Sequence, residues 1–227
     1  MNNLKFLLIV ALLNIALNGF SQKIEIDGNI SELSWQKAIE FNQFKTFKPT
    51  IGIAASESTR VLITNDSTNL YIAIMAYDND PSKITANLTN RDNLSSDDVF
   101  TVEIDVNGSG NSNIFFRVNP LGIQEDGIIT QAEEEDLNPD RIWYSKGMIT
   151  DFGYQVEIAI PFQTLRFKWK PEVKMNMGFT RKIFRKSEIV VYPEYNSDIS
   201  NRLMQRETLT FSNIKKQRVL EIIPSVT

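Results

Sequence analysis

Residues 95–122 read SSDDVFTVEIDVNGSGNSNIFFRVNPLG. Phe100, Val102, Ile104 and Val106 alternate with Val99, Thr101, Glu103 and Asp105, a period of two that predicts a strand with one core face. After the breaker cluster 107–111 (NGSGN), a second strand sets Ile114, Phe116 and Val118 on one face and Phe115, Arg117 and Asn119 on the other. Directly opposed residues of an antiparallel pair share a face. One register that satisfies this places Val102 opposite Val118, Ile104 opposite Phe116 and Glu103 opposite Arg117. The hairpin then has an apolar side and a side carrying Glu103, Asp105, Arg117 and Asn119. That polar side is either a surface for a ligand such as a sugar or a solvated face. In the second case its cross-strand ion pair contributes about 0.2–1 kcal/mol.

Outward from this hairpin the same pattern recurs. Residues 59–64 and 70–77 predict a hairpin, and the second arm, LYIAIMAY, is apolar on both faces, as in a central strand covered on both sides. Residues 23–28, 39–47, 123–130, 142–146, 173–184, 188–192, 208–211 and 218–223 predict further strands. Residues 154–160 alternate, with Tyr154, Val156, Ile158 and Ile160 inward and Gln155, Glu157 and Ala159 outward. Ser31 is a candidate N-cap for a brief helix carrying Trp35, and 162–167 predicts one helical turn. About ten short strands at turn-marked intervals indicate an all-β, antiparallel sandwich with one or two helical turns.

The first residues predict export. One lysine, the apolar run FLLIVALLNIAL at 6–17, and small residues at Gly19 and Ser21 describe a secretory leader over 1–21. Residues 22–215 then form one β domain, with 216–227 a closing strand or linker. The apolar run is shorter than the roughly 20 residues a spanning helix needs, so no transmembrane helix is expected in the mature chain. Without Lys5, 23 basic residues face 28 acidic ones, a net charge of −5. This balance argues against nucleic acid.

The chain has neither His nor Cys. That excludes disulfides, thiolate or imidazole metal sites, and triads built on histidine. Glycoside hydrolysis by two carboxyl groups stays open, with Asp97, Asp98, Asp126 and Glu157 as candidates, although no spacing singles out a pair. Asp78, Asp80 and Asp97 are the best offers for a calcium ion, which favours clustered oxygens on turns; plain turn chemistry accounts for them equally. Trp143, after the loop 138–140, is a candidate ring for stacking on a sugar, and Trp169 is expected to be exposed.

An ordered series of motifs carries a resemblance: KIEIDGNISELSW, NLYIAIMAYDNDP, NRDNLSSDDVFTVEIDV, FFRVNPLGIQEDG and GYQVEIAIPFQTLRF, then MGFTRKIFR. Together they resemble the family 9 carbohydrate-binding-like domain, in the version found at the N-terminus of bacterial outer-membrane β-barrel proteins. The similarity covers about residues 23–215. It implies a β-sandwich, non-catalytic saccharide binding, calcium in some relatives, and a periplasmic or outer-membrane setting. An outer-membrane β-barrel is the implied protein partner, and a domain that docks on protein without a sugar ligand is the alternative. Residues of the matching motifs able to line a polar site are Arg91, Asp97, Asp98, Arg117, Asn119, Asp126, Trp143, Arg166 and Arg181. The chain departs from its relatives at Met177-Gly178, where they tend to have Trp before the Gly.

Overall fold

The computed structural model describes residues 23–216. Thirteen strands form in chain order: β1 (Ile39–Phe41), β2 (Lys45–Lys48), β3 (Thr59–Asn65), β4 (Asn69–Tyr77), β5 (Val99–Asp105), β6 (Ser112–Val118), β7 (Gln124–Thr130), β8 (Glu135–Asp136), β9 (Tyr144–Thr150), β10 (Gly153–Pro161), β11 (Glu172–Ile183), β12 (Glu188–Tyr192) and β13 (Glu207–Ser212). They build two antiparallel sheets. The smaller has the order β1-β3-β4-β10-β9; the larger runs β2-β12-β11-β5-β6-β7-β8, with β13 also on β11. This is the expected all-β sandwich.

The core lies between the sheets. Ile63, Ile72, Ile74, Val156 and Ile158 of the smaller sheet belong to one buried cluster with Phe100, Val102, Ile104, Phe116 and Phe179 of the larger. Of these, Phe100, Val102, Ile104, Phe116, Val156 and Ile158 are residues that the period-two reading set on apolar faces. β4 is indeed covered twice: its second face, with Tyr71, Ala73 and Met75, packs with Ala159 under Ile24 and Trp35. The segment 24–37 therefore roofs the smaller sheet. It lies over the face expected to point outward, so Gln155 and Glu157 are buried. The stretch 23–28 forms no strand; Gln155 Nε2 instead donates to the Gly28 carbonyl at 2.7 Å. Ser31 does not cap the helical turn Leu33–Lys37, since the position before it is Glu32.

The expected strand over 39–47 splits in two. β1 pairs with β3 in one sheet and β2 pairs with β12 in the other, so this stretch turns the corner of the sandwich. The strand expected at 218–223 and the leader at 1–21 lie outside the described residues.

The central hairpin forms in a register two residues from the expected one. Phe100 faces Val118, Thr101 faces Arg117, Val102 faces Phe116, Glu103 faces Phe115 and Ile104 faces Ile114. Face parity is kept, but Glu103 and Arg117 are not opposed. The reason lies in the turn: the Asp105 carboxylate accepts from the backbone N–H of Asn107 (3.0 Å), Gly108 (2.8 Å) and Gly110 (2.7 Å). Gly108 and Gly110 hold φ of +67° and +65°, which glycine adopts without steric cost. This cradle ends β5 at Asp105 and releases Val106 from the ladder.

Candidate functional site

The shifted register gives the polar face its own order. Arg117 has Thr101 on one side and Glu125 on the other, while Glu103 lies between Phe115 and Gly178. Over this face opens a cleft of about 290 Å³, with Thr101, Glu103, Phe115, Arg117 and Thr180 among its sheet residues. Phe47, Lys48, Tyr195 and the segment reaching Arg202 and Arg206 also line it. That last segment is anchored by apolar contact, because Leu203 is buried in a cluster with Phe115 and Ile129.

The cleft is a lattice of paired charges. Arg117 donates from Nη2 to Glu135 at 2.7 Å, from Nε to Thr101 Oγ1 at 3.2 Å, and from Nη1 to Glu125. Its guanidinium stands 4.5 Å from the centre of the Phe115 ring. Burial pulls the Arg117 pKa down, but the Glu135 and Glu125 carboxylates outweigh it and leave the pKa above the ordinary value. Glu103 accepts from Arg206, from Arg202 at 3.3 Å and from Asn113 at 3.2 Å. Burial pushes its carboxyl up; the charges of Arg206 and Arg202 overcome this and hold it below the usual range. At the cleft's side the Phe47 and Tyr195 rings meet edge-on, 5.1 Å between centres.

Of the nine residues expected at a ligand site, Arg117 alone lines this cleft. The others serve the scaffold or sit elsewhere. Asp97 accepts from Asn119 Nδ2 at 2.9 Å and from the Asn87 backbone at 3.2 Å. Asn119 Oδ1 in turn accepts from the N–H of Leu121 and Ile123. Asp98 accepts from the N–H of Thr85 at 2.6 Å and Phe184 at 3.1 Å, and burial raises its pKa. Arg181, fully buried, donates to the carbonyls of Ser58 (2.9 Å) and Tyr77 (2.8 Å), joining the two sheets. Asp126, buried, accepts from Arg91, from the Trp143 indole at 3.0 Å and from the Arg141 N–H at 3.1 Å. Trp143 is thus no open platform; its ring packs in the core, 5.2 Å from Phe116. Arg166 is exposed at the end of the helical turn Phe162–Leu165, with φ +48°. Trp169 is 40% exposed, as expected.

The four carboxyl groups considered for hydrolysis do not share the cleft. Glu157 is sealed under the N-terminal roof, accepting from the N–H of Gly28 (2.9 Å) and Asp27 (3.2 Å) and from the Trp35 indole (3.3 Å). The calcium offer fits poorly. Asp78 pairs with Arg185 at 2.5 Å and accepts from the Asp80 N–H, Asp80 pairs with Lys83 at 2.8 Å, and Asp97 is taken by amides. Among the described residues no group of three or more such side chains converges.

The reading of the residues missed Phe47, Tyr195, Arg202 and Arg206. Their one signal was the spacing of Arg202 and Arg206 in NRLMQRE, which carries no face assignment outside regular structure.

A family model described as "Carbohydrate family 9 binding domain-like" matches residues 26–190. Two solved structures of a family 9 carbohydrate-binding module from Caldicellulosiruptor kristjanssonii share the fold. The complex with cellotriose has a TM-score of 0.57 at 14% identity and the complex with glucose 0.56 at 16%, each over 89% of this chain and 96% of that one. A candidate carbohydrate-binding protein from Bacteroides uniformis ATCC 8492 superposes with a TM-score of 0.57 at 8% identity, over 75% of this chain and 87% of that one. A search of curated proteins finds no match. The family match spans most of the sandwich, including both hairpins that build its core, and the chain belongs to the carbohydrate family 9 binding domain-like family.

Proposed function

We propose that the protein binds neutral saccharide, without cleaving it, in the cleft over the Glu103–Arg117 face. One observation carries the reading. The cleft combines half-buried aromatic rings, Phe47 and Tyr195, with guanidinium and carboxylate groups already oriented by one another. Sugars offer apolar C–H faces to rings and hydroxyls to charged hydrogen-bonding groups. Lys48, Arg117, Arg202 and Arg206 are balanced by Glu103, Glu133, Glu135 and the adjoining Glu125, which favours an uncharged ligand. The family, and the two relatives solved with cellotriose and glucose, support the same reading. The leader-like 1–21 stretch supports export, and the work would then be done in the periplasm or at the outer membrane, beside a barrel partner.

Calorimetric titration with a panel of neutral oligosaccharides tests this. Binding is expected for at least one member, weakened by Tyr195→Ala by roughly 1 kcal/mol, about fivefold in Kd. No heat from any member at millimolar concentration would leave the alternative, a domain that docks on protein. Turnover of an aryl glycoside above the buffer rate would instead mark a hydrolase.

A further inference from the structure

Four strands close the ends of the two sheets: β1 and β9 in the smaller, β2 and β8 in the larger. β1, β2 and β8 are short, at three, four and two residues, and each carries charged side chains, the usual protections of an open edge. β9 is different. It runs for seven residues, YSKGMIT, with a single charge at Lys146, and exposes Tyr144 (56%), Met148 (40%) and Ile149 (43%). β13, the further strand beside β11, buries Leu209 and Phe211 and exposes only polar side chains.

The two-residue turn 151–152 makes Thr150 and Gly153 a hydrogen-bonded pair. Met148, Lys146 and Tyr144 therefore also bond to β10, while Ser145, Gly147 and Ile149 point their backbone N–H and C=O groups away from it. Among the described residues no other backbone group pairs with these outward groups. Neighbouring segments pack on the faces of the strand instead. Ser145 Oγ donates to the Gly122 carbonyl at 2.7 Å on the core side, and Gly28 lies against Lys146 on the other.

We infer that β9 pairs edge to edge with β9 of a second copy of this chain, across a two-fold axis at Gly147. The strand matches itself in that antiparallel register. Ser145 faces Ile149 of the copy, small against large, and Tyr144 faces Thr150, an aromatic against a β-branched residue. Lys146 faces Met148, so no like charges meet. The outward backbone groups at 145, 147 and 149 then fall opposite one another and bond, while Tyr144, Lys146 and Met148 take the positions where opposed side chains approach most closely. No β9 residue lines the saccharide cleft, and the pairing does not depend on a sugar.

Sedimentation velocity of the intact protein over a concentration series tests this. A monomer–dimer equilibrium in the micromolar range is expected, as for a small interface, with slower hydrogen exchange at the Ser145, Gly147 and Ile149 amides as concentration rises. Substitutions at the exposed Met148 read the register. Met148→Lys sets like charges against Lys146 of the copy and should weaken the dimer about fivefold. Met148→Glu sets opposite charges there and should tighten it by about as much. Circular dichroism checks that both variants fold. A monomer at every concentration would overturn the inference and leave the edge to a strand of another protein. A dimer indifferent to the sign of the charge at 148 would overturn it too, placing the contact elsewhere.

Discussion

The guanidinium of Arg206 lies across the bare Cα of Gly178: a β-carbon there would stand 2.5 Å from Arg206 Nε. Gly178 marks the point on β11 where one edge changes partner, from β13 along 172–177 to β12 along 179–183. On its other edge it faces Glu103, and Arg206 crosses it to reach that carboxylate.

Gly178→Ala should therefore displace Arg206 and leave Glu103 with one counter-charge, Arg202, beside the Asn113 amide. Breaking a buried pair and overpacking a filled site each cost a few kcal/mol, so a loss of about 2–4 kcal/mol is expected in urea denaturation. An unchanged midpoint would show that Arg206 is not held over the glycine.

The Glu103 carboxyl, held below its ordinary value in the folded protein, makes stability fall in acid. As pH drops below the ordinary 4.5, the unfolded chain takes up this proton first, so the pair's contribution is present above that value and lost below it. Glu103→Gln should flatten the acid limb of a stability–pH profile. It should also lower stability at pH 7 by about 3 kcal/mol, because Arg206 loses its carboxylate partner and Arg202 keeps only Glu133. An acid limb of unchanged slope would contradict the pairing.

Glu157 has the opposite sign. Burial first, with the charge of Glu32 adding to it, raises its carboxyl from 4.5 to about 7 despite the Gly28 N–H bond. Between those values the folded state binds the extra proton, so stability falls as pH rises through this window, by roughly 3 kcal/mol in all. Glu157→Gln imitates the protonated acid and should remove the slope between pH 5 and 7. Thermal melts across that range would reveal it, and a slope persisting in the variant would assign the effect elsewhere.

Trp143 and Tyr195 should separate stability from binding. Trp143→Phe removes the indole donor from buried Asp126 and should cost about 1–3 kcal/mol with saccharide affinity unchanged. Tyr195→Ala should weaken affinity while leaving the melting temperature within about a degree or two, since a half-buried rim residue carries little of the core. The reverse pattern would return the sugar platform to Trp143.

The scaffold was legible where burial repeats with a period of two. The alternation in 99–106 and 154–160 assigned the right residues to the core, and LYIAIMAY marked the strand covered on both faces. The candidate site was legible only at Arg117 and its neighbour Glu103. Asp97, Asp98, Asp126 and Arg181 have the chemistry of ligand-binding residues, yet each is buried and engaged by backbone or amide partners. A sequence shows which groups can hydrogen-bond but not which ones the chain itself satisfies.

By itself, then, the sequence determined the class of fold, the inward faces of its strands and, through the absence of His and Cys, the chemistries it does not perform. Periodicity is a local property, set by the strand's own geometry. The tertiary structure alone decided the hairpin register, the roof over Glu157 and the cleft wall at 202–206. Each of these depends on distant groups meeting: Asp105 closing its turn on three N–H donors, Trp35 reaching Glu157, and Arg206 reaching Glu103 because residue 178 has no side chain.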